Sequence, residues 1–159
     1  MGLVSQSMLE SAKIAVAALP KGKRLIGLDL GTKTIGIATS DLTRQIATPR
    51  YTIERTKFMA EAKELLAFAE AENIGLIVLG LPINMDNTEG PRAQSTRAFA
   101  RNLGKITPIP IIYWDERWST VVVTRTMIEA ELSRAKRAAN VDKLAAAYIL
   151  QSLLDAMPK

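Results

Sequence analysis

The sequence predicts an α/β fold with one mixed five-stranded sheet and helices packed on it. Two observations support this prediction. Three short apolar runs follow one another without a helix between residues 24 and 53, and helices and strands alternate after them. Consecutive strands usually pair as an antiparallel meander, whereas a strand, a helix and a further strand form a parallel crossover. The predicted order is therefore three strands, helix, strand, helix, strand and two helices.

The composition is typical of one globular domain. Of the 159 residues, 48% are hydrophobic and 23% are charged, which is enough to bury a single core. Pro20 and Gly22 mark a boundary, so we expect residues 1–22 to be a loosely docked N-terminal extension and residues 23–157 to be the folded domain. No run of 18 apolar residues is present, so we expect no membrane span and a cytoplasmic protein.

Two absent residue types limit the possible chemistry. The chain has no Cys and no His, which excludes a thiol nucleophile, an imidazole base and zinc ligands of either kind. Any metal site must therefore use carboxylates, which suit Mg²⁺ or Mn²⁺. The net charge of +5 and the pI near 9.6 favour a polyanionic partner.

The first two strands form a hairpin with an acid near its turn. Residues 25–30 are apolar except for Asp29 and Gly27, and Gly31 permits the tight turn before a second strand that starts near Ile35. Burying a carboxylate is costly unless a cation or hydrogen bonds compensate it. Asp29 is therefore either a satisfied structural residue at a turn or a functional acid.

Strands and helices are predicted to alternate in the middle of the chain. Residues 45–53 form a third strand, which Pro49 places at an edge or a bulge, and Thr56 caps the following helix. Residues 76–79 are continuously apolar, which is typical of a strand buried on both faces.

A long polar loop follows the fourth strand. After residues 80–90, Pro91 opens the next helix at its first position. Residues 109–113 form a fifth strand, and residues 121–132 form a helix. A basic connector containing Arg134, Lys136 and Arg137 then precedes a last helix that is capped by Asn140.

Three carboxylates can converge in this arrangement. Glu116 lies just beyond the fifth strand, at the sheet rim where ligands collect. Asp142 is at the start of the last helix, on the face that carries Ala146 and Ile149. An acid there can simply complement the helix dipole. With Asp29, however, the three acids indicate a divalent-metal site, in which two ions roughly 4 Å apart would promote phosphodiester cleavage.

Short motifs along the chain match one known family. They are residues 27–33, 35–38, 40–41, 80–84, 115–117, 141–142, 145–146 and 149–151. Together they resemble the YqgF family of bacterial proteins, over about residues 23–156. The family has an RNase H-like fold, is related to Holliday-junction resolvases, and is put forward as the nuclease that trims the 5′ end of pre-16S ribosomal RNA. The resemblance implies that Asp29, Glu116 and Asp142 are the catalytic and metal-binding acids, with two Mg²⁺ or Mn²⁺ ions expected.

The chain departs from the family pattern at three points. Thr34 stands where the family usually has Arg, which removes an expected phosphate contact. Trp118 and Ser119 replace the more usual Leu and Thr. In the resolvase relatives the second acid lies on the fourth strand, so Glu116 must substitute from the neighbouring strand, and Asp115 is an alternative ligand.

The expected partner is nucleic acid bound through its phosphates. Structured RNA is favoured over branched DNA because no large apolar dimer face is evident, while the oligomeric state, monomer or weak homodimer, stays open. A resolvase-type DNA nuclease and a non-catalytic binding module are the alternatives. The loop of residues 80–90 is expected to order over the bound strand. The predicted nucleic-acid-binding residues are Lys33, Asn84, Arg92, Arg97 and Arg117.

Overall fold

The computed structural model describes the backbone of residues 3–119 and 134–158, and it confirms the mixed five-stranded sheet. The strand order is β3-β2-β1-β4-β5. The strands are β1 (Arg24–Leu30), β2 (Thr34–Ser40), β3 (Ala47–Glu54), β4 (Ile74–Leu81) and β5 (Ile111–Asp115). The helices are α1 (Leu3–Ala18), α2 (Phe58–Ala71), α3 (Pro91–Gly104) and α4 (Arg134–Ala156), with a 3₁₀ turn over Glu116–Trp118.

The strand pairings are those that the order of elements predicts. β1 pairs antiparallel with β2, and β2 pairs antiparallel with β3. β4 lies parallel to both β1 and β5. The register between β2 and β3 shifts between Ile37 and Ala38, opposite Pro49, so this proline has both features expected of it: an edge strand and an irregular register.

Helices cover both faces of the sheet. On one face, α2 and α3 pack over a core that includes Ile26, Leu28 and Leu79. On the other face, α1 and α4 pack over a core that includes Leu25, Val78 and Trp114. The site described below is at the carboxyl ends of β1 and β4, close to where α4 crosses the second face.

The N-terminal segment differs from its prediction. It forms the regular helix α1, in which Met8 and Ala12 are buried, and Leu19 just beyond the helix is buried as well. These positions recur at helical spacing along one face. The charged residues Glu10 and Lys13 of this helix form an i,i+3 ion pair outside that core. The extension is therefore packed on the sheet rather than loosely docked.

The C-terminal part also differs from its prediction. Helix α4 begins at Arg134, so Asn140 lies inside the helix and does not cap it. Asp142 is consequently not at a helix N-terminus, and the helix dipole does not explain its presence. The predicted helix over residues 121–132 lies outside the described residues, as do the side chains of the predicted basic connector.

The starts of β5 and α2 also differ from their predicted positions. The fifth strand begins after Pro110 rather than before it, which brings Asp115 into the strand as its last residue. At the start of α2 the N-cap is Lys57, and the backbone N–H of Thr56 donates to the side chain of Glu61 at 2.8 Å. None of the described helices is long and apolar enough to cross a membrane.

Candidate active site

Asp29 is fully buried near the end of β1, on the face that α4 covers. Gly27, two residues earlier, faces α4, because a Cβ there would lie 2.8 Å from Leu150 Cβ, and side chains alternate along a strand. Gly36 pairs with Asp29 on one side, and the register of Leu28 with Leu79 continues to Gly80 on the other. Asp29 therefore has a glycine beside it on each neighbouring strand, which leaves room around its carboxylate.

Asp142 lies over one of these glycines. A Cβ at Gly36 would overlap the Asp142 backbone carbonyl, and a Cβ at Gly31 would overlap Asp142 Oδ2. The hydroxyl of Thr34 donates a hydrogen bond to Asp142 Oδ2. Thr34, which replaces the usual arginine of the family pattern, therefore holds this carboxylate at the turn that follows β1.

Glu116 lies against the other glycine. It is 5% exposed, and a Cβ at Gly80 would lie 3.1 Å from Glu116 Oε1. Asp115 points to the opposite side of the sheet, since its neighbour Trp114 packs in the α4-side core. The backbone and guanidinium of Arg117 donate to Asp115 at 2.8–3.1 Å. This geometry favours Glu116 over Asp115 as the second acid of the site.

The donor set suits a hard cation, although the carboxylates are not drawn together in this structure. Asp29, Glu116 and Asp142 offer only oxygen donors, which Mg²⁺ and Mn²⁺ prefer. Within the described residues, no group of three or more acidic side chains is close enough to hold a metal ion as it stands. Like charges repel at short range, so three carboxylates are expected to stay apart until a cation is bound.

Of the predicted nucleic-acid-binding residues, Arg92 lies next to Asp29. Arg92 Nη2 donates to the Leu30 carbonyl at 3.0 Å and lies 3.7 Å from Asp29 Oδ1, while 41% of the Arg92 side chain stays exposed. Lys33 is exposed in the turn between β1 and β2. Arg92 in particular can meet an anion that approaches this end of β1.

The other three predicted nucleic-acid-binding residues are part of the loop of residues 82–90 or contact it. They are Asn84, Arg97 and Arg117. Arg117 Nη1 donates at 3.1 Å to both the Asn84 carbonyl and Asn87 Oδ1. Arg97 donates to both oxygens of Glu89 at 2.6 and 2.8 Å, and this contact lowers the pKa of Glu89. These contacts hold the loop in a defined conformation in this structure, and its ordering over bound nucleic acid stays a prediction.

Sequence reasoning missed Arg55 and Glu61. Glu61 is 3% exposed and accepts hydrogen bonds from Arg55 Nε at 3.1 Å and from the Thr56 backbone N–H at 2.8 Å. Arg55 Nη1 also donates to the Gly31 carbonyl at 2.9 Å. One signal was available: Glu61 falls three residues after Phe58, on the apolar face of α2, where an isolated carboxylate needs a partner.

Comparisons with known proteins agree on one family. The sequence model of a family described as "RuvX: Holliday junction resolvase" matches residues 23–156. A candidate pre-16S rRNA nuclease of Paramagnetospirillum magneticum is 59% identical over 140 residues, covering 88% of this chain and 90% of the relative. A protein of the same description from Methylocella silvestris is 52% identical over 152 residues, covering 96% and 94%.

A solved structure also shares the fold. RuvC of T. thermophilus, in complex with a Holliday junction substrate, superposes with a TM-score of 0.51 at 9% identity. The match covers 84% of this chain and 94% of RuvC. It confirms the RNase H-like fold that the motifs implied, and at this identity it bears on the fold alone.

Proposed function

Because this chain belongs to the RuvX family, the YqgF family that its motifs resemble, we propose that it is a metal-dependent nuclease. The observation that carries the proposal is the set of residues packed around Asp29. This carboxylate is fully buried between Gly36 and Gly80, and the carboxyl-bearing residues Asp142 and Glu116 lie against those two glycines. Acidic residues from β1, the 3₁₀ turn and α4 therefore lie on neighbouring positions at the rim of the sheet, which supports a shared site once a cation draws their carboxylates together.

In this proposal Asp29, Glu116 and Asp142 hold one or two Mg²⁺ or Mn²⁺ ions. Such ions, when bound, supply an activated water and stabilise the leaving oxygen of a phosphodiester. The chain itself keeps the ligands in position: Thr34 donates to Asp142 Oδ2, which orients that carboxylate. Arg92, 3.7 Å from Asp29 Oδ1, offers a cation to the anionic substrate.

The proposed substrate is the precursor of 16S ribosomal RNA, cut at its 5′ end in the cytoplasm during ribosome biogenesis. The relatives from Paramagnetospirillum magneticum and Methylocella silvestris are named for that RNA. The net charge of +5 suits a polyanion. Aromatic residues are only 5% of the chain, so binding through phosphates is favoured over stacking on splayed bases.

The description of the family favours a second candidate, cleavage of a four-way DNA junction. A resolvase must cut two opposing strands, so it needs two active sites related by a two-fold axis. This candidate therefore requires a homodimer on the substrate, whereas trimming of an RNA end requires one copy.

The test incubates the purified chain and Mg²⁺ with a pre-16S 5′-leader transcript and, separately, with a synthetic four-way junction. We expect cleavage of the RNA that is lost in EDTA. Asp29→Asn removes a charge at nearly constant volume and should lower the rate by about 100-fold or more, since metal activation contributes several kcal/mol. The thermal unfolding midpoint checks that the variant is folded.

Each other result has a distinct meaning. Cleavage that persists in EDTA or in Asp29→Asn would contradict metal-dependent catalysis at this site. Paired symmetric nicks in the junction, with the RNA intact, would replace the RNA proposal with the resolvase. Binding of either substrate without cleavage would indicate a non-catalytic module.

A further inference from the structure

A polar cleft of about 520 Å³ opens at the end of β1, between α2 and α3. It lies on the other side of the strand from Asp142, because Leu30 and Glu61 face the α2–α3 side of the sheet. We call it the arginine cleft. The lining residues that matter here are Thr32, Arg55, Thr56, Glu61, Arg92 and Ser95.

The two arginines of the cleft are anchored on consecutive carbonyl groups. Arg92 Nη2 donates to the Leu30 carbonyl at 3.0 Å, and Arg55 Nη1 donates to the Gly31 carbonyl at 2.9 Å. These are the two residues that follow Asp29 in the chain. Both arginines therefore line one cleft next to the candidate active site, and each is anchored there before any ligand is bound.

The charges of the cleft favour an anion. Two guanidinium groups and one carboxylate, Glu61, line the cleft, and Glu61 is buried and engaged by Arg55 Nε at 3.1 Å. Arg92 Nη2 is also 3.7 Å from Asp29 Oδ1, which lies outside the cleft lining. A guanidinium carries five N–H donors, so both arginines keep donor capacity beyond these contacts. The arginine side chains are 24% and 41% exposed, and the hydroxyls of Thr32, Thr56 and Ser95 add neutral donors at an accessible rim.

We propose that the arginine cleft binds a backbone phosphate of the nucleic-acid substrate, next to the phosphate that is cut. A guanidinium group can bind the non-bridging oxygens of a phosphodiester in a bidentate manner, and this cleft offers two such groups. Arg92 lies between the arginine cleft and the candidate active site, since it lines the cleft and its Nη2 is 3.7 Å from Asp29 Oδ1. This inference rests on the proposed function and adds to it a second point of contact with the strand.

The first test compares Arg92→Gln with Arg101→Gln, which removes the same charge from an exposed position on the same helix. Fluorescence anisotropy measures binding of the labelled pre-16S 5′-leader transcript in EDTA across a range of KCl concentrations. Loss of one phosphate contact should reduce the slope of log affinity against log salt by about 0.7–0.9. The slope of Arg101→Gln should match that of the unsubstituted chain.

The second test keeps the protein unchanged and alters the RNA. A neutral methylphosphonate replaces one backbone phosphate at a time along the leader. Neutralising the phosphate beside the cleaved bond should weaken binding more than neutralising distant ones. Arg92→Gln should be insensitive to that same replacement, because its partner is already lost.

The outcomes separate this inference from the proposed function. If the unsubstituted chain cleaves the RNA but no single phosphate is preferred, or if Arg92→Gln and Arg101→Gln behave alike, the arginine cleft is not a phosphate site and the nuclease proposal stands. If neutralising one particular phosphate weakens binding of the unsubstituted chain but not of Arg92→Gln, and no RNA is cleaved, the arginine cleft is a phosphate site and the nuclease proposal fails. A chain that neither binds nor cleaves overturns both.

Discussion

At the scale of single residues, Thr34 shows how a departure from the family pattern is accommodated. Its position, expected to carry an arginine, carries a hydroxyl that donates to Asp142 Oδ2. Groups that hold a metal ligand in orientation commonly affect metal affinity as much as catalysis. We therefore assign Thr34 a positioning role toward Asp142 within the proposed site.

Replacing Thr34 by Val tests this role, because Val has the same shape without the hydroxyl. We expect Thr34→Val to raise the Mg²⁺ concentration that half-saturates cleavage by about 10–100-fold, because the metal is bound less tightly. Thr34→Ser retains the hydroxyl, so its half-saturating Mg²⁺ concentration should stay close to that of the unsubstituted chain. If the Val and Ser variants have the same Mg²⁺ dependence, the hydrogen bond does not position Asp142.

The roles of such residues could be predicted only in part. Asp29, Glu116 and Asp142 were singled out by their residue type and the family motifs. The partnership of Thr34 with Asp142 could not be, because the two residues are 108 positions apart and only the fold brings them together. Arg97 and Arg117 were predicted to bind nucleic acid, whereas their contacts with Glu89 and Asp115 depend on chain geometry that periodicity does not reveal.

At the scale of elements, α4 packs on a face of the sheet that lacks side chains at three points. A Cβ at Gly27 would lie 2.8 Å from Leu150 Cβ, a Cβ at Gly36 would overlap the backbone of α4, and a Cβ at Gly80 would meet Ile149. These glycines allow the helix to approach the sheet closely. That approach is what brings Asp142 to the end of β1.

Gly36→Ala should therefore destabilise the fold by about 3 kcal/mol or more, since the new methyl group meets α4 backbone rather than a flexible side chain. Gly104→Ala is the matched control, because no atom lies within 4 Å of a Cβ at that helical position. It should be neutral or stabilising by up to about 1 kcal/mol. Urea unfolding measures both, and equal midpoints for the two variants would contradict close packing of α4.

The sequence predicted some elements better than others, for physical reasons. The strands were predictable because apolar runs bounded by Gly and Pro have few other solutions. Helix α1 was missed because the charged residues Glu10 and Lys13 break the apolar run in the sequence, although both lie outside the buried face of the helix. The start of α4 was misplaced because Asn140 is a good capping residue, and local preference alone cannot show that a helix continues through it.

At the scale of the whole molecule, the sheet brings together acids that are far apart in the chain. Asp29 comes from β1, Glu116 from the turn after β5, and Asp142 from α4. The parallel pairing of β1 with β4 and of β4 with β5 aligns the strand ends, so the proposed site requires the complete sheet and α4. We propose that residues 23–157 constitute this nuclease domain and that α1 is an added extension.

The central claim is that these three acids share one divalent-metal site, and calorimetric titration with Mn²⁺ tests it most directly. The chain should bind Mn²⁺, and Asp29→Asn, Glu116→Gln and Asp142→Asn should each weaken that binding by about tenfold or more. Asp86→Asn, an exposed acid in the 82–90 loop, is the control and should bind Mn²⁺ like the unsubstituted chain. Unchanged affinity in the three site variants, or an equal loss in Asp86→Asn, would contradict the account.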